Sequence, residues 1–438
     1  MIAVALRNLR HRPGSFVATF LSAFLGAGLL MAFAALLDTA GAADPVSGAS
    51  LRTTAGVGGG WCLVIVAFAV TSTLSLAVRR RAGQIDLLRR IGATGRQLRR
   101  MIVGEAAAVA LLASAAALPV GLLAGRLLLA LMKNTGQVAG RVEFVFGPIA
   151  LGAGFGVTLL GSFVAALATA RRTSMPTGAR PARPRARRLA ALVFLLAGAN
   201  CAVLTATVMD GRGVDAMQTA GQAGIWAAIG LALLAPELLR LVTAVLRRPL
   251  RALGAAGELA VLGVHARSRQ LAGAVMPVVL FTGIATGTVY MQGIENRASV
   301  GQAEPDYARD VRTLNYVVVG MITLFVAVML VNTLVAATVH RRREFAQQRL
   351  AGATRGQVVA LVAVEGFLVT VTGVLAGTVA ALVTVLPFGS ARAGRWWPAA
   401  TPFPYAVIVA IAVALTGAAM VGAARRTVRG LAVEAIGA

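Results

Sequence analysis

The sequence carries one stretch twice, first as Arg79-Arg80-Arg81-Ala82-Gly83-Gln84-Ile85-Asp86-Leu87-Leu88-Arg89-Arg90-Ile91-Gly92-Ala93-Thr94-Gly95-Arg96-Gln97. The second copy runs from His340-Arg341-Arg342-Arg343-Glu344-Phe345 to Arg349-Leu350-Ala351-Gly352-Ala353-Thr354-Arg355-Gly356-Gln357. We call residues 79–97 the first elbow and residues 340–357 the second elbow. The two copies align at a constant offset of 260 residues, and each lies between two long apolar runs. This arrangement indicates two cytoplasmic corners of a duplicated membrane protein.

The composition is that of a polytopic membrane protein. Hydrophobic residues make up 58% of the 438 residues and charged residues only 13%, whereas soluble proteins contain about 25% charged residues. The formal net charge of +26 would suggest a nucleic-acid partner for a soluble protein. Here the arginines lie between apolar runs, as they do in the cytoplasmic loops of membrane proteins. We therefore expect a lipid membrane as a partner and no nucleic acid.

The residues that usually carry chemistry form no recognisable site. Cys62 and Cys201 fall inside apolar runs, where they are expected to be small buried hydrophobes. The three histidines, at positions 11, 265 and 340, fall in basic loops and form no cluster with acidic residues. The sequence predicts no metal site, no catalytic residue and no cofactor in this chain.

Ten apolar runs are long enough to cross a bilayer as helices. They are Phe16–Leu37, Val57–Val78, Met101–Met132, Pro148–Ala170, Leu189–Met209, Gly224–Leu246, Ala272–Gly293, Tyr316–Val339, Val358–Leu386 and Pro404–Ala423. The first run competes with a cleaved signal peptide that would end near Ala40-Gly41-Ala42-Ala43, but its length favours a retained helix. With both termini in the cytoplasm, 32 of the 42 lysines and arginines fall on the inner side, and this bias predicts the orientation.

The predicted fold is an all-α polytopic membrane protein with ten transmembrane helices. Two parallel four-helix repeats, residues 1–174 and 251–438, are joined by a two-helix hairpin at 189–250. The fourth and tenth runs end in the same sequence, Ala-Arg-Arg-Thr, at 170–173 and at 424–427. Residues 175–188 are rich in proline and arginine and predict an extended cytoplasmic linker. The segments 38–56 and 294–315 are predicted outward loops, both too short for a folded domain.

The sequence of each elbow predicts a short helix that ends at a glycine. In the first elbow Ile85, Leu88 and Ile91 recur at a spacing of three, which gives an amphipathic helix with an arginine-rich opposite face. Gly92 is placed to end that helix in the left-handed conformation. Thr94 is followed three residues later by Gln97, which is the spacing of a capping box at the start of the next helix. The second elbow repeats these positions as Gly352, Thr354 and Gln357.

A glutamate follows each elbow at a matched position. Glu105 and Glu365 lie eleven residues beyond Thr94 and Thr354, which is about 16 Å along a helix and near the predicted membrane boundary. An ionisable group at this depth is a candidate functional residue. The alternative is an interfacial carboxylate that pairs with a local arginine such as Arg100, and the sequence leaves both interpretations open.

The pattern resembles the FtsX-like permease family of ABC transporters, which includes macrolide-exporter-type and lipoprotein-releasing permeases. The resemblance is carried by Arg-Arg-x-x-x-Ile-x-Leu-Leu-Arg-x-Ile-Gly-Ala-Thr at 80–94, by the glutamate at 105 and by their duplication. The layout of ten spans in two repeats is similar to the bacitracin-resistance branch. Members usually carry a large extracytoplasmic domain, for which this sequence has no room.

The resemblance implies that each elbow is a coupling helix that docks on a separate cytoplasmic ABC ATPase. Two repeats then imply two ATPase subunits per permease. ATP and Mg²⁺ belong to those subunits, since this chain has no Walker-type motif and is not expected to be an enzyme. Leu88 and Ile91 are replaced by Gln348 and Ala351 in the second elbow, so we expect the two docking sites to differ in strength. The coupling positions implied are Arg81, Gln84, Ile85, Leu88, Arg89, Gly92, Ala93, Thr94, Gln97, Arg341, Arg342, Glu344, Phe345, Arg349, Gly352, Ala353, Thr354 and Gln357.

The function expected from this resemblance is export or membrane extraction of an amphiphilic antibiotic, peptide or lipid across the bacterial cytoplasmic membrane. The missing outward domain favours a substrate that is met within the bilayer. An alternative is a non-transporting mechanotransmission or sensor subunit that regulates a partner protein. An ion-coupled secondary transporter ranks last, because it needs ionisable residues near the bilayer midplane and the apolar runs hold almost none.

Overall fold

The computed structural model describes residues 17–80, 87, 92–173, 184–210, 214–252, 254–298, 307–339, 341–397 and 401–429. Every regular element within these ranges is helical, as predicted. The helices are α1 (Val17–Gly41), α2 (Pro45–Arg80), α3 (Gly95–Asn134), α4 (Pro148–Thr173), α5 (Pro184–Thr207), α6 (Val214–Leu233), α7 (Ala235–Val245), α8 (Arg247–Arg251), α9 (Ala255–Ala298), α10 (Tyr307–Val339), α11 (Arg342–Leu350), α12 (Arg355–Ala393) and α13 (Phe403–Thr427).

Six of the described helices are long and apolar enough to cross a membrane. A seventh candidate is the pair α6 and α7, which together pass the same test but are bent by 70° at their junction. α4 and α10 hold shorter apolar stretches, at Pro148–Val164 and Val319–Val335. Each of the ten predicted runs overlaps a helix, but the count of ten spans stays a prediction. The six candidates are Thr19–Gly41, Gly95–Asn134, Arg185–Thr207, Leu271–Ala298, Arg355–Ala393 and Phe403–Thr427.

Two of the segments predicted to be irregular are largely helical. The outward loop predicted at 38–56 is wrong, because α1 continues to Gly41 and α2 already begins at Pro45. The Asp44 carboxylate accepts a hydrogen bond from the Ser47 N–H at 3.2 Å, and a proline in the first turn suits the start of a helix. The loop predicted at 294–315 is likewise shortened, since α9 extends to Ala298 and α10 begins at Tyr307.

Two further predictions are corrected at prolines. The linker predicted at 175–188 is not extended throughout, because α5 begins at Pro184, and residues 174–183 lie outside the described ranges. The run predicted as one span at 224–246 is broken at Leu234. Pro236 lies in the first turn of α7, and a proline ring disfavours continuation of the helix before it.

The described helices form two compact units. The first contains α1–α4 and the start of α10, and the second contains α5–α9, the end of α10 and α11–α13. In the first unit α1 packs against α2, α3 and α4, and in the second α12 packs against α5, α6, α9 and α13. α2 and α3, which flank the first elbow, both lie in the first unit, whereas the end of α10 and α12, which flank the second elbow, lie in the second unit. The predicted domain boundaries remain predictions.

The α1–α4 unit is closed at one end by a capping contact between distant parts of the chain. The Asp38 carboxylate, in the last turn of α1, accepts hydrogen bonds from the N–H groups of Gly147, Ile149 and Ala150 at 3.1, 3.1 and 2.7 Å. The first N–H groups of a helix have no partner within it, and a negative charge is favourable at that end. Asp38 thus fixes the start of α4 and keeps the connection between α3 and α4 against α1.

The contact between α9 and α12 requires glycine. A Cβ atom on Gly377 would lie 2.7 Å from the Thr282 Cβ and 2.9 Å from the Val279 carbonyl oxygen. Small residues allow membrane helices to approach closely and gain van der Waals contact. In the first unit Ala117, which matches Gly377 at the offset of 260, is fully buried and packs in one cluster with Met31.

We expect Gly377→Ala to lower the free energy of unfolding by about 1–3 kcal/mol, because the added methyl group forces α9 and α12 apart. Gly417→Ala on α13 is the matched control, since a Cβ there meets nothing within 4 Å. That variant should be neutral or slightly stabilising, because alanine favours helix by about 1 kcal/mol over glycine. Thermal unfolding in detergent micelles checks both variants, and equal midpoints would contradict the close approach of the two helices.

Candidate functional site

The second elbow begins with a helix that ends in a glycine turn, as its sequence predicts. α11 ends before Ala351, and Gly352 adopts a φ of 98°. The Gly352 N–H donates to the Arg349 carbonyl at 3.1 Å, and the Ala353 N–H donates to the Gln348 carbonyl at 3.0 Å. This pair of bonds is the Schellman pattern, which satisfies the last free carbonyls of a helix.

α12 starts directly after this turn with the predicted capping box. The Gln357 N–H donates to Thr354 Oγ1 at 3.2 Å, and the Thr354 N–H donates to Gln357 Oε1 at 2.9 Å. Both ends of the corner are thus hydrogen-bonded within a few residues. These bonds fix the change of direction between α11 and α12.

The described residues of the first elbow have the same geometry. Gly92 has a φ of 95°, and Thr94 and Gln97 form a capping box with bonds of 2.9 and 3.4 Å. Leu87 is helical and 62% exposed. The remaining predicted coupling positions of this elbow, Arg81, Gln84, Ile85, Leu88 and Arg89, lie outside the described residues.

α11 has one buried face and one exposed face. Phe345 is 1% exposed and Ala346 is 3% exposed, and the Arg341 guanidinium lies 5.0 Å from the centre of the Phe345 ring. Arg343, Gln347 and Leu350 are exposed and share one side of the helix at spacings of four and three. This exposed side is therefore available for contact with another molecule.

Four charged side chains, which we call the charge cluster, hold the buried face of α11. They are Arg267 on α9, Arg341 just before α11, Glu344 on α11 and Glu365 on α12. The Glu365 side chain is 0% exposed. Its carboxylate accepts hydrogen bonds from both terminal nitrogens of Arg341, one of them at 3.2 Å, and from Arg267 Nη2 at 3.4 Å.

Glu344 completes the charge cluster. It accepts a hydrogen bond from Arg341 Nε at 3.0 Å and forms an ion pair with Arg267 Nη1. The two positive charges of the guanidinium groups are thus neutralised by the two negative charges of the carboxylates. A buried charge is tolerated only when it is paired and hydrogen-bonded, so the cluster ties α11 to α9 and α12.

Arg267 lies where α9 departs from helical geometry, with φ −117° and ψ 16°. Gly263, one turn earlier, leaves room for the cluster, because a Cβ there would lie 2.8 Å from Arg267 Nη2 and 3.4 Å from Glu365 Oε1. Burial and the nearby Arg341 guanidinium lower the pKa of Arg267 from its ordinary value, and the Glu365 carboxylate partly opposes this shift. The guanidinium stays charged, because arginine is not deprotonated in proteins.

The last turn of α11 is held by a further contact. Arg349 Nη1 donates a hydrogen bond at 3.1 Å to the carbonyl of Val428, the residue that caps the end of α13. Cations are favourable at this end of a helix, where the last carbonyls lack partners. α11 is consequently attached to three long helices of its unit.

The structure divides the predicted coupling residues of the second elbow into two groups. Arg341, Glu344, Phe345 and Arg349 make contacts within the protein, whereas Arg342 is exposed. The exposed residues Arg343, Gln347 and Leu350 were not among the predicted coupling positions, although their spacing opposite Phe345 was a usable signal. Arg267 was also missed, because nothing local distinguishes it from the other arginines of its basic segment.

The two interpretations of the matched glutamates remain open. The Glu365 carboxylate does pair with arginines, but these come from 24 and 98 residues earlier in the chain rather than from its own helix. Glu105 on α3 is only 5% exposed. Both matched glutamates therefore lie inside the protein rather than at its surface.

We expect Glu365→Gln to lower the free energy of unfolding by about 3–5 kcal/mol, because it leaves Arg341 and Arg267 short of negative charge. The double variant Arg341→Met with Glu365→Gln should recover much of this loss, since Arg267 keeps Glu344 as its partner. Unfolding of both variants and of Arg341→Met in detergent measures the coupling. Strictly additive losses would contradict a shared cluster.

Comparison with protein families places both elbows within matched regions. The family FtsX-like permease C-terminal matches residues 56–174 and 316–430, more than half of the chain, and the two matches begin 260 residues apart. No curated protein matches the chain. The resemblance seen in the elbow sequences is thereby confirmed, and the FtsX-like domain is present twice. The chain belongs to the FtsX-like permeases of ABC-transporter type and is an all-helical, multi-pass membrane protein.

Proposed function

We propose that this chain is the transmembrane permease subunit of an ABC transporter and that its elbows dock on cytoplasmic ABC ATPase subunits. The observation that carries the proposal is the second elbow, whose helix α11 is attached to α9, α12 and α13 on one face. Its opposite face presents Arg343, Gln347 and Leu350 to solvent. A short helix that is exposed on one side and attached to spanning helices on the other suits the transfer of force.

The proposal assigns one ATPase subunit to each elbow, so that two ATPases serve one chain. Both elbows share the glycine turn and the capping box, and Leu87 and Gln347 occupy matched exposed positions. Because leucine and glutamine differ in polarity at this matched position, we expect the two elbows to bind the ATPase with different strength. ATP and Mg²⁺ would be bound by the ATPase subunits, and this chain would contribute no catalytic residue.

The proposed topology has ten spans with both termini in the cytoplasm of a bacterial cell. It is supported by the helices that overlap all ten predicted runs and by the 32 of 42 basic residues that this topology places inside. The two elbows then face the same side of the membrane, as docking on two copies of one ATPase requires.

The proposed substrate is an amphiphilic antibiotic, peptide or lipid that the permease exports or extracts from the membrane. On the proposed outer side, α1 and α2 are separated only by residues 42–44, and α3 and α4 by residues 135–147. The second of these connections is held against α1 by the Asp38 cap. Neither connection provides a folded domain that would bind a water-soluble substrate, so an amphiphile that enters from the bilayer fits best.

We expect Gly92→Pro combined with Gly352→Pro to abolish co-purification of the ABC ATPase with the tagged permease. Proline fixes φ near −65°, whereas these glycines have φ values of 95° and 98°, so both corners would change direction. Gly394→Pro is the matched control, because Gly394 also has a positive φ, of 62°, and caps a helix end outside the elbows. It should retain the ATPase, as judged by quantified bands after affinity purification. Full retention by the elbow variant would contradict the docking role.

A further inference from the structure

We propose that Arg267 is a positioning residue that transmits displacement of α11 to α9. The proposal rests on the proposed docking of the second elbow on an ATPase, and it assigns a role to a residue outside both elbows. It predicts that the charge cluster is needed for movement of α9 but not for binding of the ATPase.

The contacts of Arg267 support this role. Arg267 is the member of the charge cluster that lies on α9, and its two terminal nitrogens reach different helices. Nη1 pairs with Glu344 on α11, and Nη2 donates to Glu365 on α12 at 3.4 Å. When α11 moves, Glu344 therefore pulls on the Arg267 side chain, while Glu365 holds the other terminal nitrogen of Arg267 at α12.

The break in α9 determines where that pull acts. Arg267 is the residue at which α9 leaves helical geometry, and the candidate span of this helix begins shortly afterwards, at Leu271. A few residues at the end of an element commonly absorb the backbone change of a hinge. A force on the Arg267 side chain would thus alter the angle between the first part of α9 and its spanning part.

The sequence of the first repeat indicates that this device is specific to the second. At the offset of 260 residues, Arg267, Arg341 and Glu365 correspond to Arg7, Arg81 and Glu105, whereas Glu344 corresponds to Gln84. The carboxylate that joins Arg267 to α11 therefore has a neutral counterpart in the first repeat. The two elbows would act unequally on their bundles even when both are occupied by the same ATPase.

The test records two quantities in the same samples. One is the distance between the first part of α9 and α12, and the other is the amount of bound ATPase. Spin labels are placed at Leu259→Cys on α9, before the break, and at Leu375→Cys on α12, since both side chains are more than half exposed. The native cysteines, Cys62 and Cys201, are replaced by alanine. The full chain is reconstituted in nanodiscs with its co-purified ATPase, and pulsed electron paramagnetic resonance records the label distance without nucleotide and with ATP, Mg²⁺ and vanadate.

Three variants are compared with the labelled parent. Arg267→Met removes the charge, and Gly263→Val keeps all four charges but displaces the Arg267 guanidinium, which lies 2.8 Å from a Cβ at that position. Arg251→Met, at an exposed arginine outside the charge cluster, is the matched control.

We expect nucleotide to shift the label distance in the parent and in Arg251→Met. In Arg267→Met and Gly263→Val the shift should fall at least threefold, while the amount of bound ATPase changes less than twofold. An unchanged shift with ATPase bound would overturn the role of Arg267, and so would a parent that shows no shift. If Arg267→Met lost the ATPase while the other variants retained it, the proposed role would also be overturned, because Arg267 would then act in docking. Failure of the docking proposal itself is detected separately, by retention of the ATPase in Gly92→Pro with Gly352→Pro.

Discussion

The fully buried carboxylate of Glu365 is the constraint on which the second elbow depends. An unpaired charge inside a protein costs several kcal/mol, so the fold has to bring guanidinium groups to it. Arg341 and Arg267 meet that requirement from 24 and 98 residues away. In doing so they fix the start of α11 against α12 and draw the break in α9 into the same cluster.

This constraint gives a helix of nine residues one anchored side and one exposed side. The buried side of α11 carries the aromatic ring and the charges that hold it, and Arg349 secures its last turn to the end of α13. The exposed side carries Arg343, Gln347 and Leu350, whose side chains are not needed to hold α11 in place. Residues on that side are free to differ between the two elbows, and they do so at the matched positions Leu87 and Gln347.

The sequence predicted the all-helical fold, the duplication and the glycine and capping geometry of both elbows. These features follow from short-range rules, since a helix cap or a left-handed glycine is determined by residues three to five positions apart. Contacts between distant residues were not accessible in this way. Arg267 looked like one of many arginines that set topology, and the cap that Asp38 places on α4 spans more than a hundred residues. Pro236 itself was a local signal for the break at Leu234, but the continuous apolar run at 224–246 led to the prediction of one unbroken span.

The proposed function depends on contact between the exposed face of the second elbow and an ABC ATPase. A photoreactive amino acid placed at Gln347, and at the matched Leu87, tests it directly in living cells. Irradiation should yield covalent adducts of the permease with the ATPase at both positions and none at Trp397, which is 72% exposed on the proposed outer side. Absence of an ATPase adduct at Gln347, in cells where the tagged permease still co-purifies with the ATPase, would contradict the account.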